Sequence, residues 1–293
     1  MKTIKNLLPD TRLSTRVFLF VFLVLMFGLI SILLVKLMTD GDYTNLTTIR
    51  TAQFIESAFI FILPPLFIAL LFNARPFHWL GMDRKVSVRQ ILWIIVLMVV
   101  VVPFINLVTS LNQQITLPSA LKSVEDAMKL AEQSAAAMTS RLVNVHSVAE
   151  LMFNLFLISL VPAIGEELFF RGAIQKMFSE KIHPVVAIWI TAVIFSFFHF
   201  QFYGFIPRVL LGALLGYLYF WSGNLWLPVI AHFLNNAFAV VFYYLQFNGM
   251  VTFNVDTVGS GSGYYAGIIS GVLVVLIALK IYRSETAGKI KPN

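Results

Sequence analysis

The chain has 293 residues, of which 59% are hydrophobic and 12% are charged, and its mean hydropathy is +0.85. A soluble protein is closer to a quarter charged, so the composition excludes an ordinary soluble domain. Cysteine is absent, which excludes disulfides and thiolate metal sites. The net charge of +7 comes from basic residues between apolar blocks. This arrangement is typical of membrane topology signals and argues against a nucleic-acid partner.

The apolar residues form blocks of about twenty residues, the length that spans a bilayer as a helix. They predict an all-α polytopic membrane protein with about eight transmembrane helices in contact with the lipid bilayer. The predicted spans are 16–38, 54–73, 91–111, 148–170, 184–200, 205–221, 225–247 and 263–282. The first block is too long for a signal-peptide core and lacks a small-residue cleavage site, so we interpret it as a membrane anchor.

Prolines and one amphipathic stretch modify these spans. Pro64-Pro65 and Pro103 are expected to kink the second and third helices. The fourth helix is expected to continue past Arg171 as an amphipathic segment until His183-Pro184 breaks it.

The basic residues predict the orientation, because short cytoplasmic loops are enriched in lysine and arginine. The loop 39–53 has one arginine and two aspartates, and 248–262 has no basic residue. Both termini are therefore expected in the cytoplasm, in a membrane of bacterial inner-membrane type. The basic residues on the predicted cytoplasmic side are Lys2, Lys5, Arg12 and Arg16; Arg75, Arg84, Lys85 and Arg89; Arg171, Lys176 and Lys181; and Lys280, Arg283, Lys289 and Lys291.

Three regions follow from this pattern. Residues 1–147 hold the first three spans and a long outer connection, 148–247 hold spans four to seven, and 248–293 hold the last span and a basic tail. In the connection 112–147, apolar residues recur near helical spacing, which predicts an amphipathic helix at the membrane interface. These residues are Leu121, Val124, Met128, Leu130 and Ala131.

Four acidic residues lie in or beside the apolar spans. Ser147 and Glu150 have the spacing of a capping box, and Glu56 is expected in the first turn of span two, where a carboxylate favours the helix dipole. Glu166 and Glu167 lie deep in span four, where a carboxylate costs several kcal/mol and marks a candidate functional site.

The two glutamates are expected to have different partners. Glu167 and Arg171 are spaced i, i+4 and can form an ion pair. Adjacent helical residues point about 100° apart, so the two glutamates cannot easily serve the same partner. Glu166 is then left without a local counter-charge, which suits a general base. The alternative is that all three residues form a buried ion-pair lock between helices. Gly165 permits close approach of another helix.

Two histidines lie within apolar runs. His199 follows Phe195 by one turn, and His232 precedes Asn236 by one turn on one helix face. Counting residues along the spans puts His199 nearer the outer end of span five and His232 about two turns from the inner end of span seven. That difference in depth conflicts with a shared site.

The glutamate pair and the two histidines lie in three short motifs, each in a separate predicted span. Glu166-Glu167-x-x-x-Arg171, Phe195-x-x-x-His199 and His232-x-x-x-Asn236 resemble the CAAX-protease and bacteriocin-processing (CPBP) family, intramembrane endopeptidases related to the eukaryotic CAAX prenyl endopeptidase. The resemblance covers roughly 150–240.

The resemblance implies an eight-helix fold with an intramembrane catalytic cavity open toward the cytoplasm, and peptide-bond hydrolysis by an activated water. It assigns Glu166 as the base and His199 as the residue that holds the water. His232 and Asn236 would donate to the oxyanion, while the other motif residues brace the site; these are Glu167, Arg171 and Phe195. We expect no cofactor. The alternative is a zinc ion bound by Glu166, His199 and His232, which are acceptable ligand types.

Two other classes of function place charged residues at membrane depth. A proton-coupled transporter does so, although such proteins more often contain internal repeats and none is found here. A non-enzymatic immunity or scaffold protein could retain the same fold. The expected substrate is a membrane-associated protein or peptide, whose identity and prenylation the sequence does not specify.

Overall fold

A computed structural model describes residues 8, 11–39 and 42–287, and all regular secondary structure in these residues is helical. Among them, seven helices are long and apolar enough to cross a membrane. The all-α multi-pass membrane fold is therefore confirmed; the fifth predicted span, 184–200, is the shorter apolar helix α7, and the other seven predicted spans correspond to the seven long helices. In chain order the helices are α1 (Leu13–Thr39), α2 (Leu46–Phe72), α3 (Pro76–Leu80), α4 (Val88–Asn112), α5 (Lys122–Val143), α6 (Val148–Ser179), α7 (Pro184–Phe197), α8 (Phe205–Ser222), α9 (Trp226–Phe247) and α10 (Tyr264–Thr286). The topology residues Lys2, Lys5, Lys289 and Lys291 lie outside the described residues.

Helix caps correct one predicted boundary. Asn45 caps α2 by accepting a hydrogen bond from the Thr47 amide at 2.8 Å, so the helix starts in a polar stretch before the apolar block. Glu56 is therefore the eleventh residue of α2, and the prediction that it lies in the first turn is wrong. The capping box of Ser147 and Glu150 at the start of α6 is confirmed.

Prolines within α2 and α6 coincide with wider helical turns. A π-helical segment, Ser57–Ile62, ends two residues before Pro64, the first of the two adjacent prolines, and another, Leu155–Leu160, ends two residues before Pro162. A proline ring displaces the carbonyl four residues earlier and has no N–H of its own. The wider turn accommodates the ring in both helices. A third π-helical segment, Leu168–Gln175, contains Arg171.

Pro103 alters the backbone of α4 in a different way. The amide of Phe104 donates to Ser270 Oγ at 3.1 Å, and that hydroxyl donates in turn to the carbonyl of Val100. The Ser270 hydroxyl, from α10, therefore bridges the Phe104 amide and the Val100 carbonyl of α4. A neighbouring helix thus satisfies the backbone groups beside the proline.

The lengths of α6 and α7 resolve the depth conflict. Helix α6 continues to Ser179, thirteen residues past Glu166, and Pro184 starts α7 after a break at His183, as predicted. At about 1.5 Å per residue, the part of α6 that follows Glu166 is roughly 20 Å long, and so is the whole of α7. Helix α7 therefore starts beyond the end of α6 and runs back to the level of Glu166, which brings His199 beside it.

Two large apolar clusters form most of the interior, beside two smaller ones. One includes Phe169 and Phe170 of α6 with side chains from α1, α2, α3 and α7. The other joins α4, α8, α9 and α10 and includes Ala231. Arg171 directly follows Phe170 and His232 directly follows Ala231, so both motif residues continue from packed core positions.

Gly165 makes the predicted close approach. A Cβ atom added there would lie 3.0 Å from Phe61 Cβ and 3.4 Å from the carbonyl oxygen of Ser57. Helix α2 therefore packs directly against the turn of α6 that precedes Glu166.

Candidate active site

The three predicted motifs converge around one phenylalanine ring. The Phe195 ring centroid is 4.9 Å from that of His199 and 5.9 Å from that of His232. The guanidinium carbon of Arg171 is 4.9 Å from the same centroid. Residues from α6, α9 and the end of α7, far apart in sequence, therefore form one cluster.

Glu167 is the buried anchor of this cluster. Arg171 Nη1 donates to Glu167 Oε1 at 2.6 Å, and both side chains are fully buried. The predicted ion pair is present. His232 Nδ1 donates to the same carboxylate oxygen at 2.8 Å, a contact that was not predicted. Glu167 therefore holds the imidazole as well as the arginine.

Glu166 faces the other side of the same imidazole. Its Oε2 lies 3.8 Å from His232 Nε2 and accepts no hydrogen bond within the described protein. The prediction that the two glutamates cannot easily serve one partner is wrong, because the two ring nitrogens point in different directions and one faces each carboxylate. The Glu166 side chain is 17% exposed, whereas Glu167 is fully buried.

His199 lies just beyond the end of α7 and is half-buried. Its Nδ1 donates to the Phe195 carbonyl at 2.9 Å. That bond leaves Nε2 as the acceptor of a neutral imidazole. Glu166 and His232 are both close enough to act electrostatically on His199.

Asn236 lies one turn after His232 on α9 and is half-buried. Its Oδ1 accepts a weak hydrogen bond from Asn235 Nδ2 at 3.4 Å. Its own amide group donates to no described residue, so its N–H groups are available to a ligand.

Sequence reasoning missed the support that α8 gives to this cluster. Arg171 Nη2 donates to the Gly212 carbonyl at 2.9 Å, and Gln175 Nε2 donates to the Gly216 carbonyl at 3.0 Å. A Cβ at Gly212 would lie 3.2 Å from the Phe195 ring. The Gly-x-x-x-Gly spacing, typical of close helix packing in membranes, was the available signal.

A second missed residue is Arg208, a basic residue in the otherwise apolar α8. Its guanidinium donates to the backbone carbonyl of Gln201 at 3.2 Å and to the side-chain oxygen of that residue. It is attracted electrostatically by Glu132 and Glu166, so it places a positive charge near the candidate base.

The geometry does not provide a metal-ligand set. Among the described residues, no three histidine, cysteine or carboxylate side chains are grouped so that they could hold one ion. The bond from Nδ1 of His232 to Glu167 leaves Nε2 as the ring nitrogen that faces Glu166 and does not by itself exclude a metal. The zinc alternative therefore stays a prediction.

One cavity of about 310 Å³ lies between α4, α7, α8 and α10, and its lining is apolar with four aromatic side chains, Phe104, Trp189, Tyr217 and Trp221. It contains none of the motif residues. The predicted catalytic cavity open toward the cytoplasm stays a prediction.

These features define an α-helical membrane protein with a glutamate–histidine cluster inside the helix bundle. Residues 148–238 match the model of the family described as type II CAAX prenyl endopeptidase Rce1-like. The match confirms the resemblance that the three motifs predicted, and it contains all of their residues.

A relative from Bacillus subtilis (strain 168), the "Uncharacterized protein YpbD", is 32% identical over 88 residues. The aligned region is 29% of this chain and 42% of that protein, so the chain spans less than half the length of this curated relative. No solved structure matches the chain.

Proposed function

We propose that this protein is an intramembrane endopeptidase that hydrolyses peptide bonds of membrane-associated proteins or peptides. The observation that carries the proposal is the facing pair of Glu166 Oε2 and His232 Nε2, 3.8 Å apart. Because no described residue donates to Glu166 Oε2, this oxygen can accept a hydrogen bond from a water molecule at about 2.8 Å, while His232 Nε2 beside it faces the oxygen of the bond that is attacked. The family that residues 148–238 match supports the same reaction class.

Glu166 acts as the general base in this mechanism. It takes a proton from the water while the hydroxide attacks the carbonyl carbon, and His199 holds the water through Nε2. The proton then passes to the leaving amine as the carbon–nitrogen bond breaks. A positioned base contributes about 10²–10⁴-fold to the rate.

The oxyanion is stabilised from α9. Asn236 donates from its side-chain amide, and His232 donates from Nε2. Because Nδ1–H of His232 is already bonded to Glu167, donation from Nε2 requires the imidazolium form. The ionised carboxylate of Glu167 stabilises that form, as the orienting carboxylate does in hydrolase triads.

We further propose that both termini lie in the cytoplasm. The described loops follow the bias of basic residues. The apolar helices α1, α2, α4, α6, α7, α8, α9 and α10 alternate in direction, and an even number of passes leaves both termini on one side.

A cleavage assay with the purified full-length protein in liposomes tests the function. Wild type, Glu166→Gln and Glu150→Gln are incubated with a library of tagged membrane peptides. We expect wild type and Glu150→Gln to cleave a common subset and Glu166→Gln to be inactive, because the capping glutamate on the same helix lies outside the cluster. Equal activity of all three proteins, or no cleavage by wild type, contradicts the proposal and favours a non-enzymatic or transport role.

A further inference from the structure

The turn between α7 and α8 carries His199 and contains a strained residue. Phe200, the next residue, has φ of +50° and is 84% exposed. The left-handed region costs a residue with a side chain roughly 1–2 kcal/mol, and a bulky residue there is a true outlier. Ser196 Oγ links the two ends of the turn by donating to the Phe205 carbonyl at 2.8 Å, and contacts from other elements offset the remaining strain.

Helix α5 supplies two of these contacts through Tyr203. The amide of Tyr203 donates to Glu132 Oε2 at 3.0 Å, and its hydroxyl donates to Glu125 Oε1 at 3.2 Å. The two acids are seven residues apart, or about two helical turns, so they share one face of α5. Lys129, one turn from Glu125, pairs with it at 2.6 Å and lies 6.0 Å from the Tyr203 ring centroid.

Two further residues, one from α4 and one from α8, hold the same turn. Asn112, at the end of α4, donates to the Phe202 carbonyl at 3.0 Å and accepts from the Ile206 amide at 2.9 Å. Arg208, on α8, donates to the Gln201 carbonyl at 3.2 Å. Asn112 and Arg208 therefore hold the turn together with Glu132.

The rest of α5 is mostly exposed. Within the helix only Glu125, Leu142 and Val143 are buried. The predicted apolar positions are exposed, as Leu130 is at 65%, apart from Met128, which is half-buried. The face that contacts the protein in the middle of α5 is thus the acidic one. This helix also precedes residue 148, so it lies outside the region that matches the Rce1-like family.

We propose that α5 positions His199 for catalysis, with Glu132 as a positioning residue that acts through the backbone amide of Tyr203. The proposal deepens the proposed function and rests on it. An element outside the matched core would then control the geometry of the candidate water-binding histidine. Segment 122–143 would regulate the site without touching the substrate.

Variants on one helix test this role. Glu132→Ala removes the acceptor of the Tyr203 amide, and Glu132→Gln keeps an oxygen that can accept it. Asp126→Asn is the control, since Asp126 is exposed and pairs only with Lys122 on the same helix at 3.5 Å.

We expect Glu132→Ala to lower kcat about 10- to 100-fold, the effect of misplacing a reacting group by roughly 1 Å, with KM unchanged. Glu132→Gln should keep most of the activity, and Asp126→Asn should match wild type. Wild-type kcat in Glu132→Ala overturns the proposal. A rise in KM alone also overturns it, because that result indicates a role in substrate binding.

Hydrogen exchange provides a readout that does not depend on activity. In Glu132→Ala, amide exchange should rise in 198–206 and stay at the wild-type rate in the other helices. A uniform rise along the chain indicates general destabilisation and overturns the proposal, as does unchanged exchange in the turn. If Glu166→Gln proves as active as wild type, the protease function fails, while the exchange result still decides whether α5 holds the turn.

Discussion

Replacing Glu167 with glutamine tests the interior of the cluster most directly. Glu167 accepts hydrogen bonds from Arg171 at 2.6 Å and from His232 at 2.8 Å, and all three side chains are buried. Glutamine keeps the shape but removes the negative charge. The Arg171 cation then has no counter-charge in a low-dielectric interior.

The expected loss of stability is large. Breaking a buried ion pair by removing one partner costs about 3–5 kcal/mol. For a chain of this size each kcal/mol lowers Tm by roughly 2–4 °C, so Tm should fall by about 6–20 °C. Adding Arg171→Met removes the orphaned charge and should recover part of this loss. Recovery is incomplete because the Gly212 carbonyl also loses its donor, which costs about 1–3 kcal/mol.

Thermal unfolding of the detergent-solubilised protein, followed by the fluorescence of its five tryptophans, measures these differences. Glu166→Gln is the matched control, since Glu166 accepts no hydrogen bond from Arg171. This variant should unfold near the wild-type temperature while losing activity. A Glu167→Gln protein as stable as wild type refutes the buried-pair argument. If that stable variant is inert while Glu166→Gln stays active, the roles of the two glutamates are reversed.

Three further predictions follow from other parts of the chain. Reporter fusions after Lys85 and after Lys289 should both report the cytoplasm and one near Asp256 the outside; opposite results would overturn the topology. Stringent chelation should leave cleavage intact and elemental analysis should find no stoichiometric zinc, whereas activity lost on chelation and restored by zinc would support the three-ligand site. The hydrogen bond from Lys129 lowers the pKa of Glu125, so the bond between Glu125 and the Tyr203 hydroxyl should persist from neutral into mildly acidic pH and weaken only below the ordinary glutamate value of about 4.3. Hydrogen exchange of the turn across this range checks the sign; loss of protection on raising the pH toward 8 would contradict it.

Much of the site was predictable because charged residues are costly in a membrane. Glu166, Glu167 and Arg171 stand out in an apolar helix, and their spacing alone indicates which glutamate pairs with the arginine. The histidines in apolar runs stand out for the same reason. The contact of Glu167 with His232 was not predictable, since it joins residues 65 positions apart and depends on how α6 packs against α9.

Span boundaries were less predictable, because hydropathy detects where apolar residues lie and not where backbone hydrogen bonding begins. The Asn45 cap extends α2 before its apolar block, and this extension explains the wrong placement of Glu56. The continuation of α6 past Arg171, by contrast, was predicted from its amphipathic pattern, and the helix reaches Ser179. What the sequence did not show was that this length lets α7 start deep enough to bring His199 level with Glu166.

Features that depend on neighbouring residues could thus be predicted from the sequence, whereas features that depend on distant residues required the tertiary structure. The number of apolar helices, the caps and the i, i+4 ion pair depend on neighbouring residues, and the chain's order of amino acids determines them. The support that α5 gives to Tyr203 depends on tertiary packing, because an acidic face on an isolated helix is expected to face solvent. The acidic face of α5 faces the protein here because Tyr203, in the turn after His199, donates from its amide to Glu132 and from its hydroxyl to Glu125.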